Sequence, residues 1–226
     1  MEIGLEDLVP WGRRLSEYTR IFQLTSEQLR QRILGCADGP SSFNAEMTRQ
    51  GGNVISCDPL YAFSYGEIEA RSRETNRELI EKLRCHPAGY DWNYFADSEA
   101  VSRARIEALS IFLADFEDGK AQGRYLPAAL PHLPFAHGAF DLALCSFLFF
   151  LRPERHSISF HIDGLTELIR VAREVRVFPI LQVDGRVPEY AEDIYDWLRA
   201  KEISVSFLSV PPTLHKGADR FLVLQR

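Results

Sequence analysis

Residues 32–60 read RILGCADGPSSFNAEMTRQGGNVISCDPLY, and this stretch decides the fold. Arg32 to Cys36 is a short apolar run of strand character, followed by a Gly/Pro/Ser turn at Asp38 to Ser41. Ser42 to Gln50 then spaces its apolar residues as a helix, and Asn53 to Cys57 is a second apolar strand closed by Asp58. A strand, turn, helix and strand of this length form one right-handed parallel unit. In such a unit the turn brings backbone N–H groups to a ligand, and the helix N-terminus favours negative charge there. An acid at the end of the second strand is placed to accept both hydroxyls of a ribose. The stretch therefore points to an adenosine-bearing ligand. Asp58 also precedes a proline, and Asp-Pro is a common turn initiator; its spacing from Gly39 favours the ribose role.

Outward from this unit, strands and helices continue to alternate. Toward the N-terminus, Leu15 to Leu34 holds two short helical patterns, the second capped by Ser26 with Leu29 and Ile33 on one face. From Glu67 to Gly119 the chain is charged and helical, with Trp92, Tyr94 and Phe95 in a break between two long helices. That is too long for a simple crossover, so a helical insertion is expected over about residues 67–119. Strands follow at Arg124 to Leu126 and Phe140 to Ser146, a helix at Asp163 to Ala172, and a strand at Glu174 to Leu181. A helix at Glu189 to Lys201, a strand at Ile203 to Val210, a Pro-Pro turn and a strand at Phe221 to Gln225 end the chain. Two strands joined by a short turn cannot be parallel. The last strand is therefore expected to run antiparallel in an otherwise parallel α/β sheet.

Composition narrows the class. The 226 residues suit one α/β domain with elaborations, and the net charge of −6 argues against general affinity for nucleic acid. The longest apolar run, Phe140 to Leu151, is broken by Asp141 and Ser146 and falls short of the roughly 20 residues a membrane span needs. The start, MEIGLEDLVPWG, lacks the apolar core of a signal peptide. Cys36, Cys57, Cys85 and Cys145 show no metal-ligand spacing and read as reduced thiols of a cytoplasmic protein, with no metal expected. No G-x-S-x-G elbow occurs, and Gly35-Cys36-Ala37 breaks the G-x-G-x-x-G of nicotinamide enzymes.

The segment LPFAHGAFDLALCSFLFF, residues 133–150, is similar to the LPF…FD segment of class I S-adenosylmethionine-dependent methyltransferases. More narrowly, the chain resembles a group of uncharacterised bacterial methyltransferase-domain proteins along nearly its whole length. Residues 11–25, 39–51, 54–64, 112–125 and 170–181 carry the rest of that likeness. The resemblance implies a Rossmann-like, mostly parallel seven-stranded sheet with an antiparallel last strand, forming one domain over residues 1–226. It also implies a helical lid over about residues 1–30, S-adenosyl-L-methionine as cofactor, and a small-molecule acceptor. A fold retained as a catalytically inactive binding or scaffold protein is the alternative.

By the same resemblance, Gly35, Cys36, Ala37, Asp38 and Gly39 form the cofactor loop, with Asp58, Pro59, Leu60, Ala129, Cys145 and Ser146 completing the cofactor site. The loop departs from the acid-x-Gly-x-Gly-x-Gly pattern: Gly35 replaces the acid, and Ala37 and Ser41 replace glycines. Asp38 either substitutes for the missing carboxylate or simply turns the chain. Pro127 to Leu133 holds no acid for an adenine amino group, which leaves apolar contacts at Ala129, Leu130 and Leu133. Trp11, Arg13, Tyr18 and Phe147 are the substrate-pocket candidates, with Arg13 able to meet a carboxylate on either cofactor or acceptor. Tyr61, Tyr65 and Phe149 extend an aromatic set suited to a flat acceptor. The resembling group often has histidine where Phe147 stands. His156 or His161 could replace it as general base, or serve structure alone.

Overall fold

The computed structural model describes residues 4–152 and 154–226; the first three residues, where the expected lid begins, lie outside them. Seven strands form one sheet: β1 (Arg32–Cys36), β2 (Asn53–Cys57), β3 (Tyr125–Leu126), β4 (Phe140–Ser146), β5 (Ala172–Phe178), β6 (Ser204–Ser209) and β7 (Arg220–Gln225). Their order is β3-β2-β1-β4-β5-β7-β6. The first five run parallel, and β7 lies antiparallel between β5 and β6. The antiparallel last strand is therefore present, inserted one place from the sheet edge.

Strand alternation builds a core on each face. Ile33, Leu142 and Leu144 face α1 (Leu15–Phe22) and α2 (Phe43–Arg49), with Tyr18, Phe22, Phe43 and Met47 between the layers. Their neighbours Leu34, Ala143 and Val175 face α5 (Ile158–Val171) and α6 (Ala191–Ala200), against Leu165, Leu168, Ile194 and Leu198. Residues 67–119 form most of two antiparallel helices, α3 (Tyr65–Cys85) and α4 (Ser98–Ala121). The second half of α4 buries Leu109, Phe112, Leu113 and Phe116 against Tyr61 and Tyr125, beside β3. That half of α4 is the crossover to β3, and α3 packs along its outer side.

Several boundaries differ from expectation for local reasons. The helix expected after Ser26 is one 3-10 turn, Gln28–Arg30, because Thr25 and Gln28 cap each other's backbone N–H and Ile33 is already in β1. Helix α5 begins five residues before Asp163, where the Ser157 hydroxyl accepts from Phe160 N–H at 3.2 Å. Strand β5 stops at Phe178, since Pro179 has no N–H to continue the ladder.

Candidate functional site

Strands β1, β2 and β4 end side by side, with Cys36 paired to Cys57 on one side and Cys145 on the other. Ligands of open α/β sheets bind beyond such ends. All three thiols are buried in the core below that edge. The chain leaves β1 through Ala37 and Gly39, both with positive φ (55° and 54°). Gly39 adopts this freely, whereas Ala37 holds a left-handed conformation disfavoured for a residue with a Cβ.

Two carboxylates face each other across this turn. Asp58 accepts from Leu60 N–H at 2.8 Å and from Gly39 N–H at 2.9 Å, so it staples the turn to the end of β2. Asp38 points inward and accepts from the hydroxyls of Ser56, at 2.6 Å, and Tyr18. A Cβ on residue 35 would lie 2.2 Å from Asp38 Oδ2. The Asp38 carboxylate thus fills the space that a side chain on residue 35 would enter, and Gly35 is required by it. Burial pushes both acids up to about 6; the hydroxyls pull against it at Asp38 and the two N–H groups at Asp58. Charge on Asp38 adds to the rise at Asp58.

The N-terminal segment is clamped over this turn. Ser41, at a glycine position of the pattern, accepts from Arg13 N–H at 3.0 Å, and Ser42 N–H donates to Arg13 O at 3.0 Å. A Cβ on Gly12 would lie 2.1 Å from Pro40 O, so the backbones meet only because residue 12 is glycine. Arg105 donates to Gly12 O at 3.0 Å and forms a two-pronged ion pair with Glu17, at 2.6 and 2.5 Å, almost fully buried. Burial would raise the Glu17 carboxyl, but Arg105 holds it below its ordinary value. These contacts place Trp11 and Arg13 above the strand ends.

A cleft open to solvent, about 460 Å³ counting the solvent at its mouth, is lined by Leu8, Pro10, Trp11, Arg13, Ala37, Asp38, Gly39, Asp58, Leu60, Ser146 and Phe147, with Val9 at its rim. Phe147 follows β4 with φ of 62°, and the Arg13 guanidinium lies 3.4 Å over its ring. On the far side of this pair is a second, shallow cavity, about 330 Å³ counting the solvent at its open mouth, walled by Glu17, Arg20, Tyr94, Phe95, Arg105, Thr213, Leu214 and His215 as well as Arg13 and Phe147. The His215 ring packs 4.7 Å from that of Phe147.

The other expected residues lie elsewhere. Gly35, Cys36, Pro59 and Cys145 do not line the cleft, and Tyr18 reaches it only through its hydroxyl contacts with Asp38 and Ser146. Ala129 also does not line it, while Leu130 and Leu133 pack toward α5, because β3 ends after two residues and the chain turns across the sheet. His161 is fully buried and cannot act as a base. Its Nε2 accepts from Phe150 N–H at 3.1 Å, and its Nδ1 bonds Ser157 O at 2.8 Å. His156 stacks on Phe160 at 4.4 Å, outside both cavities. Phe149 and Tyr61 are core residues, and Tyr65 is exposed.

No known family model matches the chain. An uncharacterized protein of Methanocaldococcus jannaschii is 28% identical over 225 residues, covering 99% of each chain. Among solved structures, the magnesium protoporphyrin IX methyltransferase of Synechocystis with bound SAM aligns over 98% of this chain and 77% of its own, at 13% identity and TM-score 0.44. A SAM-dependent methyltransferase of Aquifex aeolicus aligns over 93% and 92%, at 14% identity and TM-score 0.43. The 16S rRNA methylase RmtB aligns over 93% and 61%, at 12% identity and TM-score 0.39. At these levels the strand order itself decides: five parallel strands with the last strand antiparallel between the fifth and sixth. This is a Rossmann-like, mostly parallel α/β sheet, the topology that the resemblance implies.

Within this fold, sequence reasoning missed Glu17, Arg105 and His215. Glu17 and Arg105 are 88 residues apart, and no local spacing signals their pairing. His215 reaches Phe147 from the turn between β6 and β7. It brings an imidazole beside the position where the resembling group often carries its own. Among the described residues, no group of three His, Cys, Asp or Glu side chains is placed to hold a metal, and no helix is long and apolar enough to cross a membrane.

Proposed function

We propose that this protein is an S-adenosyl-L-methionine-dependent methyltransferase acting on a small molecule. The observation that carries the reading is the position of Asp58, buried at the end of β2 and lining one cleft with the Ala37-Asp38-Gly39 turn, Ser146 and the Trp11-Arg13 segment. Each Asp58 oxygen accepts one backbone N–H and keeps a further lone pair for a ribose hydroxyl. When bound, the cofactor supplies a methyl group on a cationic sulfonium. Asp38 and Asp58, both buried and ionised above about pH 6, set a negative field at the floor of the cleft. Leu60 and Pro10 supply the apolar wall first expected from Ala129. The clamped segment with Trp11 and Arg13, the proposed lid, excludes water from the strand ends. We further place the protein in the cytoplasm and assign it no nucleic-acid partner, as its acidic balance favours.

One observation favours the non-catalytic reading: both Asp58 oxygens and both Asp38 oxygens already hold partners within the chain. Calorimetric titration with S-adenosylmethionine and S-adenosylhomocysteine separates the two. Micromolar binding that Asp58→Ala weakens supports the enzyme. Absence of binding by a folded, ligand-free chain rejects it.

A further inference from the structure

We propose that the chamber behind Phe147 receives the methyl acceptor, and that Arg13 recognises an anionic group on it, so the acceptor is a small flat acid. This rests on the methyltransferase reading above. Arg13 and Phe147 belong to both cavities, so the chamber and the cofactor cleft adjoin at that pair.

The chamber carries surplus positive charge. Arg105 is satisfied by Glu17, but Arg13 and Arg20 form no ion pair among the described residues. Arg13 is the decisive one, because it is only 7% exposed, yet among the described residues its guanidinium makes a single hydrogen bond, to Trp11 O at 3.3 Å, and otherwise lies over the Phe147 ring. A guanidinium has five N–H donors, so four are left. The two Arg13 nitrogens without a partner, Nε and Nη2, are not sealed away from open space, and Arg13 lines both cavities. A buried cation without an ion pair is costly, and an anionic ligand would offset that cost. Burial and then Arg105 lower its pKa to about 9, against the opposing pull of Glu17.

The walls define the rest of the ligand. Phe147, Tyr94 and Phe95 present ring surface suited to a flat body. His215 adds a neutral imidazole, since burial and then Arg13 and Arg105 push it down to about 3. It therefore brings no competing positive charge. A planar fork such as Arg13 pairs with carboxylate or phosphate through two parallel bonds, whereas a neutral amide or alcohol leaves half of it unused.

The test uses the full chain, titrated with benzoate, phenyl phosphate and benzyl alcohol, each with and without saturating S-adenosylhomocysteine. Either anion should bind at least about tenfold more tightly than benzyl alcohol, as loss of a charge-assisted bond implies. The preferred anion identifies carboxylate or phosphate as the group. Arg13→Gln should abolish that preference and Arg13→Lys should keep part of it, with the S-adenosylhomocysteine affinity of each variant measured alongside because Arg13 also lines the cofactor cleft. The proposal is overturned if all three probes bind alike to the wild type. It is also overturned if Arg13→Gln weakens S-adenosylhomocysteine and keeps the anion preference, because Arg13 would then serve the cofactor alone. If S-adenosylhomocysteine does not bind the wild type, the methyltransferase reading fails. The preference measured on the free chain, and its loss in Arg13→Gln, then decides the anion site separately.

Discussion

Adding one methyl group at residue 35 should drive the Asp38 carboxylate out of its place. In Gly35→Ala the new Cβ would lie 2.2, 2.6 and 2.8 Å from Oδ2, Cγ and Oδ1 of Asp38, an overlap with the whole carboxyl group. Rotating Asp38 away forfeits the hydrogen bonds from Tyr18 and Ser56. Bonds to a charged group are worth roughly 1.5–3 kcal/mol each, so the gross loss is about 3–6 kcal/mol. Against this, the departing carboxylate is freed from a site that raises its pKa from 3.8 to about 6. At pH 7.5 that relief is worth about 3 kcal/mol. Tyr18 keeps Ser146 at 3.3 Å, and Ser56 keeps Asn44 at 3.1 Å, so neither hydroxyl is stranded. The net cost should be up to about 3 kcal/mol, or up to roughly 10 °C in Tm for a chain of this length. Thermal unfolding of the wild type, Gly35→Ala, Asp38→Ala and the double variant measures it. With Asp38 already truncated, the added methyl should cost under about 0.5 kcal/mol, so most of the single-variant cost appears as coupling. Simple additivity would refute the claim that Asp38 occupies the space of residue 35. The exchange Gly35→Asp with Asp38→Gly returns the acid to the usual position and should recover both stability and cofactor affinity.

Three further outcomes follow from the same geometry. Ala37→Gly should stabilise the chain by up to about 1 kcal/mol, because relief of the left-handed conformation (1–2 kcal/mol) exceeds the added unfolded-state entropy (0.5–1 kcal/mol); an unchanged or lower midpoint in denaturant would contradict this. Glu17→Gln leaves Arg105 buried without its counter-charge and should cost about 3–5 kcal/mol by the same measurement. The pH profile should show Asp38 and Asp58 directly. With folded values near 6 against 3.8, the unfolded chain loses these protons first. Stability should therefore fall as pH rises from about 4 to 7, by up to about 3 kcal/mol per group. Glu17, held below its ordinary 4.5, acts oppositely: its contribution is present above that value and is lost on further acidification. Midpoints against pH for wild type and Asp38→Asn test the sign, and a wild-type curve rising from pH 4 to 7 would defeat it.

Much of the fold was legible in the order of residues. Residues 32–60 specify a strand, turn, helix and strand through local apolar periodicity, and the short Pro-Pro turn before Phe221 forces the last strand antiparallel. Both signals survive because hydrogen bonding and side-chain alternation act within a few residues. Boundaries failed where a cap competed with periodicity, as at Thr25 and Ser157. The placement of Asp58 at the end of β2 was legible for the same local reason.

The departures at Gly35, Ala37 and Ser41 looked like erosion of a glycine loop, and only tertiary structure shows what stands in their place. Asp38 fills the space beside Gly35, Ala37 keeps the left-handed turn, and the Ser41 hydroxyl holds the Arg13 backbone. The same is true of Glu17 with Arg105 and of His215 beside Phe147, which meet across 88 and 68 residues. Linear spacing carries contacts along one strand or one helix face. The composition of a cavity is decided by where separate elements end, and by which buried charges are left without a partner when they do.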